Sequence, residues 1–85
     1  ASARYFKSCY DDELSRRPDL EGRVVLEVEV DEEGKVQRGR IVKSTFENQR
    51  VEYCIQRAAS RVKFPAERGR PLTAVDFALS FRPED

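Results

Sequence analysis

Histidine is absent from this sequence, as are methionine and tryptophan. Without histidine the chain lacks the commonest general base and the commonest metal ligand. It has only two cysteines, too few to form a tetrahedral zinc site by themselves. Their separation of about 45 positions excludes a Cys-x-x-Cys redox motif. Net charge is missing too: 16 basic side chains balance 16 acidic ones. Nothing global therefore favours nucleic acid or an anionic membrane surface. No apolar run approaches the ~18 residues of a membrane span, and no signal peptide is recognisable. The absence of an initiator methionine is read as the mark of a domain cut from a longer protein, its targeting segment or anchor removed. At 85 residues the expectation is one domain, 1–85. A domain of that size buries only ~60–65% of its unfolded surface, so its core is marginal.

The clearest pattern present is a period of two. Val24, Leu26, Val28 and Val30 alternate with Val25, Glu27, Glu29 and Asp31, the signature of a half-buried strand. Glu32-Glu33-Gly34 interrupts it and β-formers resume at Val36. A three-residue hairpin loop with Gly34 at positive φ fits this spacing. It sets Asp31 opposite Lys35 and Val30 opposite Val36. Val36 and Ile41 cannot both face inward on a regular strand. A β-bulge at Gly39 is expected to reset the register so that Leu26 meets Ile41 and Glu27 meets Arg40. A third strand is expected over Leu72–Arg82. Val75, Phe77, Leu79 and Phe81 face in, while Ala74, Asp76, Ala78 and Ser80 face out.

Two stretches have helical periodicity. From Ser2, a candidate N-cap, to Arg17, the residues Phe6, Cys9, Tyr10 and Leu14 share a face. Asp11, Asp12, Glu13, Arg16 and Arg17 fall largely on the other side. Glu13 and Arg17 form an i,i+4 pair, the basic last turn suits the helix dipole, and Pro18 ends the helix. The acidic triplet reads as a solvated face rather than a cation site, since no Gly-containing calcium loop surrounds it. In the second helix, N-capped by Asn48, Val51, Cys54, Ile55, Ala58 and Val62 make one apolar stripe. Pro65 turns Phe64 back toward the core. Arg57, Arg61, Lys63, Arg68 and Arg70 form a local basic cluster, read as a solvated helix end and loop because no aromatic interleaving accompanies it. Cys9 and Cys54 occupy core positions on their helices. They are either one disulfide, in an oxidising compartment, or two buried thiols.

The order helix, strand, strand, helix, strand predicts an α+β fold. The expected sheet is antiparallel, three-stranded and ordered 2-1-3, with both helices on one face and the third strand at an edge. The largely buried set should be Phe6, Leu14, Leu26, Val28, Ile55, Ala58, Phe77 and Leu79.

Several pieces, in this order and spacing, resemble the C-terminal domain of TonB-type proteins. They are Glu21-Gly22-Arg23-Val24, Asp31-Glu32-Glu33-Gly34-Lys35-Val36, Ile41-Val42-Lys43-Ser44, Ser60-Arg61-Val62-Lys63-Phe64-Pro65-Ala66, and the closing strand Val75 to Phe81. The family's Trp-x-Tyr before the proline reads Val62-Lys63-Phe64 here. Its Tyr-Pro motif ahead of the first strand is replaced by a helix carrying Cys9. Cys9-Tyr10 and Cys54 with Phe64-Pro65 resemble the AgmX/PglI-type C-terminal domain of gliding bacteria, which carries paired cysteines at similar places. The resemblance implies a periplasmic module on a parent anchored in the inner membrane, contacting an outer-membrane or envelope partner. The contact would run along the third strand, through Thr73, Ala74, Val75, Asp76, Phe77, Ala78, Leu79 and Ser80, by β-strand addition. The alternative is a structural module that pairs the same edge with its own copy to form a homodimer. An enzyme is not expected, nor a cofactor, a metal or a nucleic-acid partner. The sequence has no Gly-rich phosphate loop and no Ser in a strand–helix elbow. Asp76, Glu27 and Glu29 beside Arg40 read as a solvated cross-strand lattice.

Overall fold

The computed structural model describes residues 3–83. Along them run α1 (Ala3–Leu14), β1 (Gly22–Asp31), β2 (Val36–Ser44), α2 (Gln49–Ala58), a 3-10 turn (Ala59–Arg61) and β3 (Leu72–Phe81). The expected N-cap Ser2 lies outside the described residues. The strands form one antiparallel sheet in the order β2-β1-β3. With both helices on its inner face, the architecture is the α+β arrangement read from the sequence.

The alternation in β1 is realised residue by residue. Val24, Leu26, Val28 and Val30 are buried, and the residues between them are half-buried on the open face. Asp31 organises the hairpin. Its carboxylate accepts from the backbone N–H groups of Glu33 and Lys35, each at 2.9 Å, and from the Gln37 amide at 2.6 Å. Gly34 has φ +89°, and a Cβ there would also collide with the Phe64 carbonyl. The chain beyond α2 follows the hairpin tip. The Phe64 N–H donates to the Gly34 carbonyl at 3.0 Å, and the Glu67 N–H to the Glu32 carbonyl at 2.9 Å.

The pairings Val30–Val36, Glu27–Arg40 and Leu26–Ile41 are as expected, but the bulge is not at Gly39. Gly39 pairs regularly with Val28. The register shifts at two other places, leaving Gln37 and Val42 as the extra residues. Gly39 serves packing: a Cβ there would lie 2.8 Å from that of Ala59. Its bare backbone lets the end of α2 approach the sheet closely.

α1 stops at Leu14, three residues before the expected Arg17. The Ser15 hydroxyl donates to the Asp12 carbonyl at 2.8 Å, and the N–H groups of Arg16 and Arg17 both reach the Glu13 carbonyl. A short polar side chain bonding its own backbone competes with continuation of the helix. Arg16 and Arg17 therefore lie beyond the last turn. α1 faces β3 through rings: Phe6 meets Phe77 edge-on at 5.9 Å, and Tyr10 stacks on Phe81 at 5.0 Å. The Tyr10 hydroxyl donates to the Leu20 carbonyl at 2.6 Å. Leu14, Phe77 and Leu79, expected in the core, are only half-buried. β3 has sheet on one side only, so α1 covers its inner face incompletely.

Glu13 corrects the sequence reading most. It is not on the solvent side and does not pair with Arg17; it is buried at 6% exposure. The Asn48 amide donates to its Oε2 at 2.9 Å, while Arg16 lies 3.2 Å and Arg50 3.9 Å from Oε1. Asn48 acts twice, because its Oδ1 also caps α2 by accepting from the Val51 N–H at 3.0 Å. The Asn48 hydrogen bond holds the Glu13 carboxyl below its ordinary value. Burial opposes this shift, while Arg50 and Arg16 reinforce it. Asp31 is lowered as well, first by the Lys35 N–H. A carboxyl whose folded pKa is depressed stabilises fully above the unfolded value of about 4.3. That stabilisation is lost as pH falls through the folded value. Glu13→Gln is therefore expected to be less stable than the parent at neutral pH, with the gap closing in acid. Denaturant midpoints measured across an acid series check this; a gap independent of pH would refute it.

Candidate functional site

β3 pairs with β1 over ten consecutive positions, from Gly22–Phe81 to Asp31–Leu72, without a register shift. The direction of its backbone groups follows from the hairpin. The Asp31 N–H donates to the Lys35 carbonyl, and the Arg23 carbonyl accepts from the Thr45 N–H, both at 2.9 Å. Odd residues of β1 thus turn their backbone groups to β2, and even residues turn theirs to β3. Val24, Leu26 and Val28 meet Leu79, Phe77 and Val75. The odd residues of β3 therefore bond to β1. Leu72, Ala74, Asp76, Ala78 and Ser80 turn N–H and C=O to the free edge.

The predicted site residues divide accordingly. Thr73, Val75, Phe77 and Leu79 are half-buried, with side chains on the helix face. Ala74, Asp76, Ala78 and Ser80 are exposed on the open face. Asp76 pairs with Glu27, which Arg40 meets at 3.0 Å, and Arg38 lies 3.9 Å from Glu29. These carboxylates form the solvated cross-strand lattice read from the sequence. The other edge, β2, is a poorer template. It is bulged twice, carries Arg38, Arg40 and Lys43, and has its Ile41 N–H taken by Gln56 Oε1 at 3.0 Å. Bulges and charges are devices that blunt an edge; β3 has no bulge and one charge.

Cys9 and Cys54 form a disulfide joining α1 to α2, with Cα atoms 5.6 Å apart. Cys9 is buried and Cys54 half-buried. Among the described residues no group of three or more His, Cys, Asp or Glu side chains could hold a metal ion. The acidic triplet disperses: Asp11 pairs with Lys7, Asp12 caps through its carbonyl, and Glu13 turns inward. The basic cluster also divides. Arg57 and Arg61 line a groove between the helices, while Arg70 pairs with Glu67 in the loop near the hairpin. Sequence reasoning missed that groove, which adds Arg4 and Arg50 with Tyr5 and Tyr53. The signal was available in α2, where Arg50, Tyr53 and Arg57 recur at helical spacing.

No protein-family model matches this sequence, and no curated protein matches it. The fold does have relatives. A solution structure of the Helicobacter pylori TonB C-terminal domain, residues 194–285, superposes with a TM-score of 0.58 at 14% identity. That match covers 100% of this chain and 97% of the other. A longer form of the same domain, residues 179–285, gives 0.52 at 16% identity over 94% of this chain and 78% of that one. The chain has the fold of a TonB C-terminal domain. At such identities the likeness concerns the fold alone.

Proposed function

We propose that this chain is a non-catalytic protein-binding module that takes an extended peptide on the free edge of β3. The observation carrying this reading is the regular ten-residue edge, with five residues turning their backbone groups outward, three of them, Ala74, Ala78 and Ser80, carrying small side chains. Unpaired N–H and C=O groups are a template for strand addition, and alanines at Ala74 and Ala78 permit close approach. The TonB-like fold and the disulfide support a periplasmic setting, because disulfides persist in oxidising compartments. The parent would be anchored in the inner membrane and span the envelope, in the manner of TonB or of a gliding-motility protein. Its partner would be an outer-membrane or envelope protein. Self-pairing along the same edge is less favoured. A two-fold axis near the middle of β3 would bring two Asp76 carboxylates together, and like charges directly opposite are destabilising.

Ala78→Pro tests the proposal. It deletes an outward donor and blocks approach, while the bonds to β1 come from the odd residues and remain. Isotope-labelled protein is titrated with peptides tiling the exposed segments of outer-membrane proteins. Shifts should gather on residues 72–81, and Ala78→Pro, still folded by its amide spectrum, should weaken binding roughly tenfold or more. Ala78→Ser should change it little. An unmoved β3 during saturable binding elsewhere would refute the proposal. So would a concentration-dependent dimer abolished by Ala78→Pro, which would establish self-pairing instead.

A further inference from the structure

α1 and α2 run antiparallel, joined at three levels. Arg61 lies over the Tyr5 ring, Cys9 is bonded to Cys54, and Glu13 is held by Asn48. Between them opens a groove of about 900 Å³. Its polar lining is one-sided, with four arginines, Arg4, Arg50, Arg57 and Arg61, and no carboxylate. In a chain of zero net charge, that is a local segregation.

Several basic groups elsewhere on the surface do have partners. Lys7 pairs with Asp11, Arg40 with Glu27 and Arg70 with Glu67. Among the described residues no carboxylate lies within ion-pair distance of Arg4, Arg57 or Arg61, and Arg50 only approaches Glu13 at 3.9 Å. Two of these arginines are nevertheless positioned. The Arg57 guanidinium lies 5.6 Å from the Tyr53 ring centroid, and that of Arg61 equally far from the Tyr5 ring. A cation–π contact of this kind helps hold each guanidinium over its ring, and its N–H donors can still serve a carboxylate. Tyr53 is 64% exposed. Arginine and tyrosine together are the composition enriched where proteins meet. The apolar part of the lining is the disulfide, with Cys9 buried and Cys54 half-buried, together with Ala58.

From these observations we infer that the groove between α1 and α2 binds an acidic peptide, at a site separate from β3. From residue 50 to residue 61 the groove runs roughly 16 Å at the helical rise, the reach of about five extended residues. Carboxylates of the peptide pair with the arginines, and an apolar side chain between them rests on this apolar part of the lining. A phosphate polymer offers nothing to cover it. A single-stranded nucleic acid needs open aromatic faces for its bases, and each of these rings already has a guanidinium over one face.

The probe is a labelled ten-residue peptide of glutamates and aspartates with one central leucine. It is compared with its glutamine/asparagine analogue, with polyphosphate and with a single-stranded oligonucleotide. Amide shifts on residues 4–8 and 50–61 should report saturable binding that weakens with salt. The double change Arg57→Gln with Arg61→Gln should raise Kd roughly tenfold. The control pair Arg38→Gln with Arg40→Gln, on the sheet, should leave it unchanged. The wild-type shift map stands independently of any variant. Absence of groove shifts, equal loss in the control pair, or tighter groove binding by polyphosphate or the oligonucleotide would each overturn the assignment. Shifts confined to residues 72–81 would leave the β3 proposal intact and refute this one.

Discussion

Breaking the Cys9–Cys54 bond is expected to cost this fold about 4 kcal/mol of stability, from the closure entropy of a loop this long. The two cysteines are 45 positions apart, so the cross-link restricts more than half of the unfolded chain. A domain of this size has a total stability of roughly 4–13 kcal/mol at ~0.05–0.15 kcal/mol per residue. Loss of the bond therefore removes a large share. The placement also bears on function. α1 is held to β3 through Phe6–Phe77 and Tyr10–Phe81, whereas α2 is held to β2 through Gln56–Ile41 and the Gly39–Ala59 contact. The disulfide ties these halves of the helical layer together. Reduction should loosen α1, uncover the inner face of β3 and widen the arginine groove. Urea melts with and without reductant give the stability difference, and Cys9→Ala with Cys54→Ala repeats the test without redox chemistry. The denaturant dependence should steepen as the unfolded state expands. A midpoint that does not move would refute the prediction.

The strand alternation made the sheet legible in the sequence. Val24 to Val30 set the inward face of β1, and Val75 to Phe81 that of β3. With Gly34, they led to the strand order and most of the pairing. Parity also showed that one extra residue must lie between Val36 and Ile41. It could not say which, and glycine is the habitual choice for a bulge; the structure uses Gln37 and keeps Gly39 for helix contact. The second bulge, at Val42, was invisible because the only apolar residue after Ile41 in β2 is the extra residue itself, and Lys43 and Ser44 mark no inward face. Glu13 was legible in spacing, since it stands seven residues after Phe6 and three after Tyr10. Reading charge as exposure put it on the wrong side. Phe46 was not legible: it is buried at 5% in a connection without periodicity, packed near Tyr10 and Phe81 only by the tertiary fold. For the candidate site, sequence reached the edge strand and both cysteines. It missed the helix groove because that surface joins residues from two helices whose mutual register only the folded chain sets.

Leu26→Ala should cost about 2–5 kcal/mol through lost burial and the cavity left behind. Leu26 has no exposed surface and sits at the middle of β1, between Ile41 of β2 and Phe77 of β3. Both neighbours are half-buried and tied into the ladder, so the walls of the cavity cannot collapse freely. Val42→Ala is the matched control. That valine is 44% exposed as the extra residue of the second bulge, and surface changes away from special features usually stay within about ±0.5 kcal/mol. The two variants remove apolar side-chain volume from adjacent strands at neighbouring levels, so the difference between them reports the register. Equilibrium urea denaturation of both, with the slope held common, supplies the comparison. A loss below about half a kcal/mol for Leu26→Ala would mean that the inward face of β1 is misassigned. Equal losses would mean that β2 continues past Ile41 without its second bulge and turns Val42 to the core.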